Sequence, residues 1–202
     1  PFDIFQSINS INDTFLRYSV ARNLPENEKS KKLLIEKLIK DSDDRVRLQA
    51  AARLRDFMVP QAEEELLKFF DHTNPLIKAY AISIFWNLSQ FKSKMENKEY
   101  QKFYKKCVNE HLKKIAEATS DRNSRVRRIA ILRMAEISHP DVSKIIAKNL
   151  KDSDNLVRFQ AICALGARNE IELVTPIVLN YNEPLLFRLA PFVGGTRTMH
   201  TA

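Results

Sequence analysis

Glycine is nearly missing. Three occur in 202 residues, and two of them, Gly194 and Gly195, are neighbours close to the end. With eight prolines spread between apolar runs, this reads as helices joined by short connections. Cysteine is as scarce: Cys107 and Cys163 stand alone, each in a helical stretch. Two isolated cysteines exclude a disulfide framework and a cysteine-based zinc site, so two reduced, buried thiols in a cytoplasmic compartment are expected. No apolar run approaches the ~20 residues that span a bilayer, and no secretory signal opens the chain, so no membrane role is expected. The first residue is Pro1 rather than Met, and a processed chain or a fragment is expected.

The chemistry of most catalysts is missing too. The four histidines are His72, His111, His139 and His200, with no H-x-x-x-H spacing. There is no metal-ligand spacing, no Ser-His-Asp arrangement and no glycine-rich phosphate loop. No catalytic residue, no metal and no cofactor are expected. What remains is enough apolar material for a core, 44% hydrophobic against 29% charged residues, which excludes disorder. The formal charge is +8, from 33 Lys and Arg against 25 Asp and Glu, and suits an acidic partner.

The chain repeats itself. DSDDRVRLQAAARL from Asp41, DHTNPLIKAYAISIF from Asp71, DRNSRVRRIAILRM from Asp121 and DSDNLVRFQAICAL from Asp152 align. An Asp opens a polar turn. A β-branched residue follows (Val46, Ile77, Val126, Val157), then a cation (Arg47, Lys78, Arg127, Arg158). Four residues beyond the β-branched position is Ala (Ala50, Ala81, Ala130, Ala161), and four further on a large apolar residue (Leu54, Phe85, Met134, Leu165). Such spacing places all three on one helix face, and the alanine admits a close neighbour helix. A second amphipathic stretch follows each segment. One starts after Pro60 with Ala62, Leu66 and Phe69, another after Pro140 with Val142, Ile146 and Leu150. A third starts after Asn169 with Ile171, Val174 and Val178, where Pro176 is expected to kink the helix or delay its start. Ile4, Ile8, Ile11, Phe15 and Tyr18 predict a helix at the beginning, NLPEN a turn, and Leu34, Ile35, Leu38 and Ile39 a second helix.

The pattern D-x-x-x-x-V-R-x-x-A-x-x-x-L, at a period of about 30 residues, resembles HEAT repeats. The short period is most similar to the phycobilisome-lyase-type subset of that armadillo-like superfamily. The resemblance covers about residues 27 to 190. It implies an all-α fold, a right-handed α-α superhelix of about five helical pairs in which the second helices line the concave surface. The expected repeats run about 1–40, 41–70, 71–120, 121–151 and 152–180, with a partial one at 181–193. There Leu186 and Ala190 fit the pattern, but Phe187 replaces the cation and Gly194 the large apolar residue. Residues 194–202 read as a tail. HEAT-type iron hydroxylases carry His-Glu pairs, and no histidine here is followed by Glu.

The recurring Asp and Arg read as a ladder: Asp caps the following helix, and the cation reaches the Asp of a neighbouring repeat. Trp86, beside Ile77, Ala81, Phe85 and Leu88, reads as a packing residue. The one large break in the period is the lysine-rich stretch that makes the third repeat's second helix long, about residues 98 to 118. Its apolar stripe is Tyr100, Tyr104, Cys107, Val108, Leu112 and Ile115. Lys98, Lys102, Lys105, Lys106 and Lys113 lie off that stripe on a shared flank, and Lys144 and Lys148 on the next second helix extend it. Glu96, Glu99 and Glu110 break up the positive field. These lysines are the binding candidates. The leading functional reading is a protein-interaction scaffold holding a peptide or protein partner. The first alternative is nucleic-acid binding along the basic strip. The second, which only the resemblance implies, is a bilin lyase or lyase-helper subunit.

Overall fold

The computed structural model describes residues 7–85 and 98–180. The expectations on Ile4, Trp86, Leu88, Glu96, Leu186, Phe187, Ala190, Gly194, Gly195 and His200 lie outside these residues. So do those on the side chains of Tyr100, Tyr104, Cys107, Val108, Glu110 and Val178. Among the described residues there are ten α-helices and no strand. They are α1 (Thr14–Asn23), α2 (Glu28–Glu36), α3 (Asp44–Asp56), α4 (Pro60–Lys68), α5 (Pro75–Phe85), α6 (Lys98–Ala118), α7 (Ser124–Met134), α8 (Val142–Ala147), α9 (Asn155–Ala167) and α10 (Ile171–Asn180). The fold is an all-α, HEAT-type arrangement of helical pairs. The chain forms two compact units, Pro1–Leu112 and Lys113–Ala202.

In the first unit, α3 packs against α1, α2, α4 and α5. Its core gathers Ile8, Ala21, Leu33, Leu34, Leu38, Val46, Ala50, Leu54, Val59 and Ala62. In the second unit, α9 packs against α7, α8 and α10, over Val126, Ala130, Met134, Ile146, Val157, Ala161 and Leu165, all fully buried. The four repeat alanines, Ala50, Ala81, Ala130 and Ala161, each have 0% exposure, as close helix crossing requires. Each fully buried Leu or Val contributes about 1.5–3 kcal/mol of apolar burial.

Every first helix of a pair starts on an Asp or Asn cap. Asp13, Asp43, Asn74, Asn123 and Asp154 each accept an amide N–H two residues on, at 2.8, 2.9, 2.9, 3.0 and 2.8 Å. The cap is thus not the Asp that opens each turn but the residue two places later. Asp41, Asp121 and Asp152 instead accept the N–H of that capping residue, at 2.9, 2.8 and 2.8 Å. The opening Asp is still outside the helix, and its short side chain bonds its own backbone two residues on, as Asx turns do. At α5 the part is played by His72, whose Nδ1 accepts from the Asn74 N–H at 3.0 Å. Asp71, which the sequence aligns with the other three, is exposed at the end of the 3-10 turn Phe69–Asp71.

The first pair also differs from expectation. A 3-10 turn, Ile8–Ser10, is followed by a break, and the Asp13 cap then starts α1. Phe15 is thereby 75% exposed rather than part of a core stripe. A capping Asp terminates one periodic run and begins another more strongly than an apolar spacing can bridge them. Two first helices end alike. After α3, Val59 N–H bonds the Leu54 carbonyl and Met58 N–H that of Arg55; after α9, Glu170 bonds Leu165 and Asn169 bonds Gly166. This closure places Met58 and Asn169 at φ 54° and 62°. Pro176 neither delays α10 nor ends it. The helix runs from Ile171 through it, one N–H short in its ladder. Ile171, expected in the apolar stripe, is exposed, whereas Val174 is buried.

Candidate partner-binding face

Two recurring polar features compete for a binding role, and their geometry separates them. The first is the Asp–Arg ladder. Arg17 closes on Asp41 with Nε at 2.7 Å and Nη2 at 3.1 Å. Arg127 closes on Asp152 with Nε at 2.8 Å and Nη2 at 2.7 Å. Each pair joins one repeat to the next within its own unit. The remaining edge of the guanidinium reaches back to the turn. Nη1 of Arg17, Arg47, Arg127 and Arg158 donates to the carbonyl six residues earlier, at 2.6, 2.7, 2.8 and 2.9 Å.

The paired side chains are only 9–12% exposed. The hydrogen bonds to Asp41 and Asp152 raise the pKa of Arg17 and Arg127 further. Burial by itself would raise the Asp152 carboxyl, but the Arg127 bond and the Asp154 amide leave it below its ordinary value. Asp154 is lowered by the Ser124 hydroxyl, and Asp43 by Arg45. These arginines are consumed by the fold; Arg17 donates to Ile11, Asn12 and Asp41 at once.

The second feature is the lysine set, which is not part of the Asp–Arg ladder. Lys98, Lys102, Lys105 and Lys106 are all exposed on the first unit's part of α6, with Glu99 and Asn109 as the other exposed described residues there. At ~100° per residue these four lysines fall within an arc of roughly 100°. His111 lies on the opposite side of α6. His111 meets the Phe85 ring edge-on, with centroids 5.8 Å apart. Lys113 is exposed further along the same helix, beyond the unit boundary, and Ile115 is fully buried.

In the second unit Lys144 and Lys148 are exposed on α8 and the turn after it. Lys151, which sequence reading passed over, is exposed on the same flank. Residues 61–70 and 141–150 show the same sequence of buried, half-buried and exposed positions throughout. At matching exposed positions one has Glu64 and Asp71 where the other has Lys144 and Lys151. The fold therefore accepts either sign at these two positions, and Lys144 and Lys151 are not a stacking requirement of the repeat, whereas Lys148 is matched by Lys68. A signal for this was present in the sequence: Pro60 and Pro140, 80 residues apart, stand at or just before the start of equivalent helices.

Cys163 is half-buried, and burial pushes its thiol pKa up, which makes it a poor nucleophile. No helix among the described residues is long and apolar enough to cross a membrane. Capped helical pairs stacked through buried alanines and tied by an Asp–Arg ladder define an α-helical repeat protein. A family model described as HEAT repeats matches residues 110–181, and that stretch is similar to HEAT repeats. No curated protein matches the chain.

Proposed function

We propose that the chain is an interaction scaffold that binds an acidic segment of a protein partner along the lysine face of α6. HEAT repeats are commonly protein-interaction scaffolds. The observation that carries the reading is that, among the described residues of α6 in the first unit, the exposed ones are four lysines, one Glu and one Asn. Positions shared by all repeats serve stacking, whereas a charge set confined to particular helices is free to serve a partner. Lysine ammonium groups on flexible stems suit carboxylates whose spacing is not rigid. Lys144 and Lys148, with Lys151, form a second, separate basic face by the same reasoning.

The test is fluorescence anisotropy of a labelled poly-glutamate peptide, with a mixed-sequence DNA duplex as the comparison probe. The wild type is expected to bind the peptide. Changing Lys98, Lys102, Lys105 and Lys106 to Glu is expected to weaken binding by about tenfold or more, the loss of charge-assisted contacts. Equal binding by wild type and variant overturns the site. Tighter binding of the duplex than of the peptide, with a steep salt dependence, replaces the protein partner by a nucleic acid.

A further inference from the structure

His72 occupies, at the turn between α4 and α5, the place that a carboxylate occupies in the other turns of its kind. Asp41, Asp121 and Asp152 accept the amide of the capping residue through a group that has lone pairs to spare. An imidazole nitrogen that accepts an N–H has none left for a proton. The Asn74 N–H points at Nδ1 from 3.0 Å, which places the ring's hydrogen on Nε2, where it donates to Asp44 Oδ2 at 2.9 Å. The ladder changes to match. Arg17 and Arg127 pair with the turn Asp of the following repeat, but Arg47 would meet His72 there. Arg47 turns instead to Asp44 on its own helix, so that one carboxylate serves both Arg47 and His72.

The groups around His72 come from three elements. α3 supplies Asp44 and Arg47, the 3-10 turn supplies Asp71 and the Phe69 ring at 6.1 Å, and α5 carries Lys78 on its first turn. Asp43 on the preceding turn is taken by Arg45, and Asp41 by Arg17. The His72 side chain is 23% exposed, so a proton from solvent can reach it.

We propose that this turn is a pH-sensitive joint within the first unit: protonation of His72 at Nδ1 breaks the bond to Asn74 and loosens the start of α5. The proton sets two N–H donors head to head across 3.0 Å. Asp44, which also serves Arg47, meets the ring at Nε2 and does not accept the new hydrogen at Nδ1. The carboxylates that build the Asp41, Asp121 and Asp152 turns keep their charge between about pH 5 and 8, the range in which imidazole as a side-chain type changes its own; ahead of α8, His139 Nδ1 accepts the Asp141 N–H in the same manner, at 3.2 Å.

The experiment is amide hydrogen exchange of the whole chain by nuclear magnetic resonance, corrected for intrinsic rates, at about pH 7.5 and about pH 5.5. Protection of the Asn74 and Leu76 amides is expected to fall about threefold or more on the acid side. The amides of Asp43, Asn123 and Asp154 are expected to stay level, and in His72→Asp the Asn74 amide is expected to behave as they do. Protection of Asn74 that is unchanged or higher at the lower pH overturns the proposal, since that is the result if the proton merely tightened the bond to Asp44. The same acid loss in His72→Asp as in the wild type also overturns it, since the source would then lie elsewhere.

Discussion

Arg127 grips Asp152 with two nitrogens of one guanidinium edge, Nε at 2.8 Å and Nη2 at 2.7 Å, across 25 residues of chain. Two parallel charge-assisted bonds between planar groups fix an angle as well as a distance. This is what one repeat needs in order to dock on the next in a single register. Lysine, a point donor, cannot reproduce the fork.

Asp152→Asn is therefore expected to destabilise the second unit by about 1–3 kcal/mol, the cost of leaving a mostly buried guanidinium without its carboxylate. The effect has a pH signature. Asp152 is held below its ordinary carboxylate value in the folded chain. A depressed carboxylate contributes stability that is fully present above the unfolded value, near pH 4, and is lost as pH falls through the folded value. The gap in thermal midpoint between wild type and variant should be full at pH 7 and should shrink below about pH 4. A gap independent of pH would show that the aspartate acts there by shape alone.

Ala130→Leu should destabilise by about 1–3 kcal/mol, because Ala130 has 0% exposure on α7, the helix that α9 packs against. Chemical denaturation followed by circular dichroism measures it. A midpoint equal to wild type would show that added methyl groups find room and that the small residue is not required.

Met58 and Asn169 close equivalent helix ends with positive φ, 54° and 62°. Asparagine tolerates that conformation; methionine bears a Cβ that resists it. Met58→Gly is expected to raise stability by about 0.5–1 kcal/mol, and Asn169→Ala to lower it by a similar amount. Thermal scans of the two variants should move in opposite directions. A fall for Met58→Gly would mean that the packing of the Met58 side chain outweighs its backbone strain.

Lys144→Glu is expected to change stability by no more than about 0.5 kcal/mol, because the matching position of the other unit already carries Glu64. Thermal unfolding checks it. A large loss would make Lys144 a structural residue and remove it from the binding candidates.

The helical pairs and their faces were legible in the residue order because the forces that set them are local. Val126, Ala130 and Met134 meet on one side of α7 through the helical period alone, and all three are fully buried. The lysine face of α6 was legible for the same reason. The start of α1 was missed because the apolar spacing of Ile8, Ile11 and Phe15 runs on through Asp13, although the D-x-x-x-R spacing of Asp13 and Arg17 matches that of Asp43 and Arg47. Reading the cap as well as the period would have found it.

What residue order alone determined is thus whatever one turn of backbone can decide: helical period, small residues at crossings, and polar caps. Tertiary structure decided the rest. Whether Asp41, Asp121 and Asp152 cap a helix or brace a turn depends on where the backbone amide two residues later points, and only the folded turn aims it. That His72 and not Asp71 takes the turn position follows from a shift of one residue, invisible to an alignment by aspartates. The sharing of Asp44 by Arg47 and His72 joins residues 28 apart in the chain, a contact that no local interaction specifies and only the docking of one repeat on the next creates.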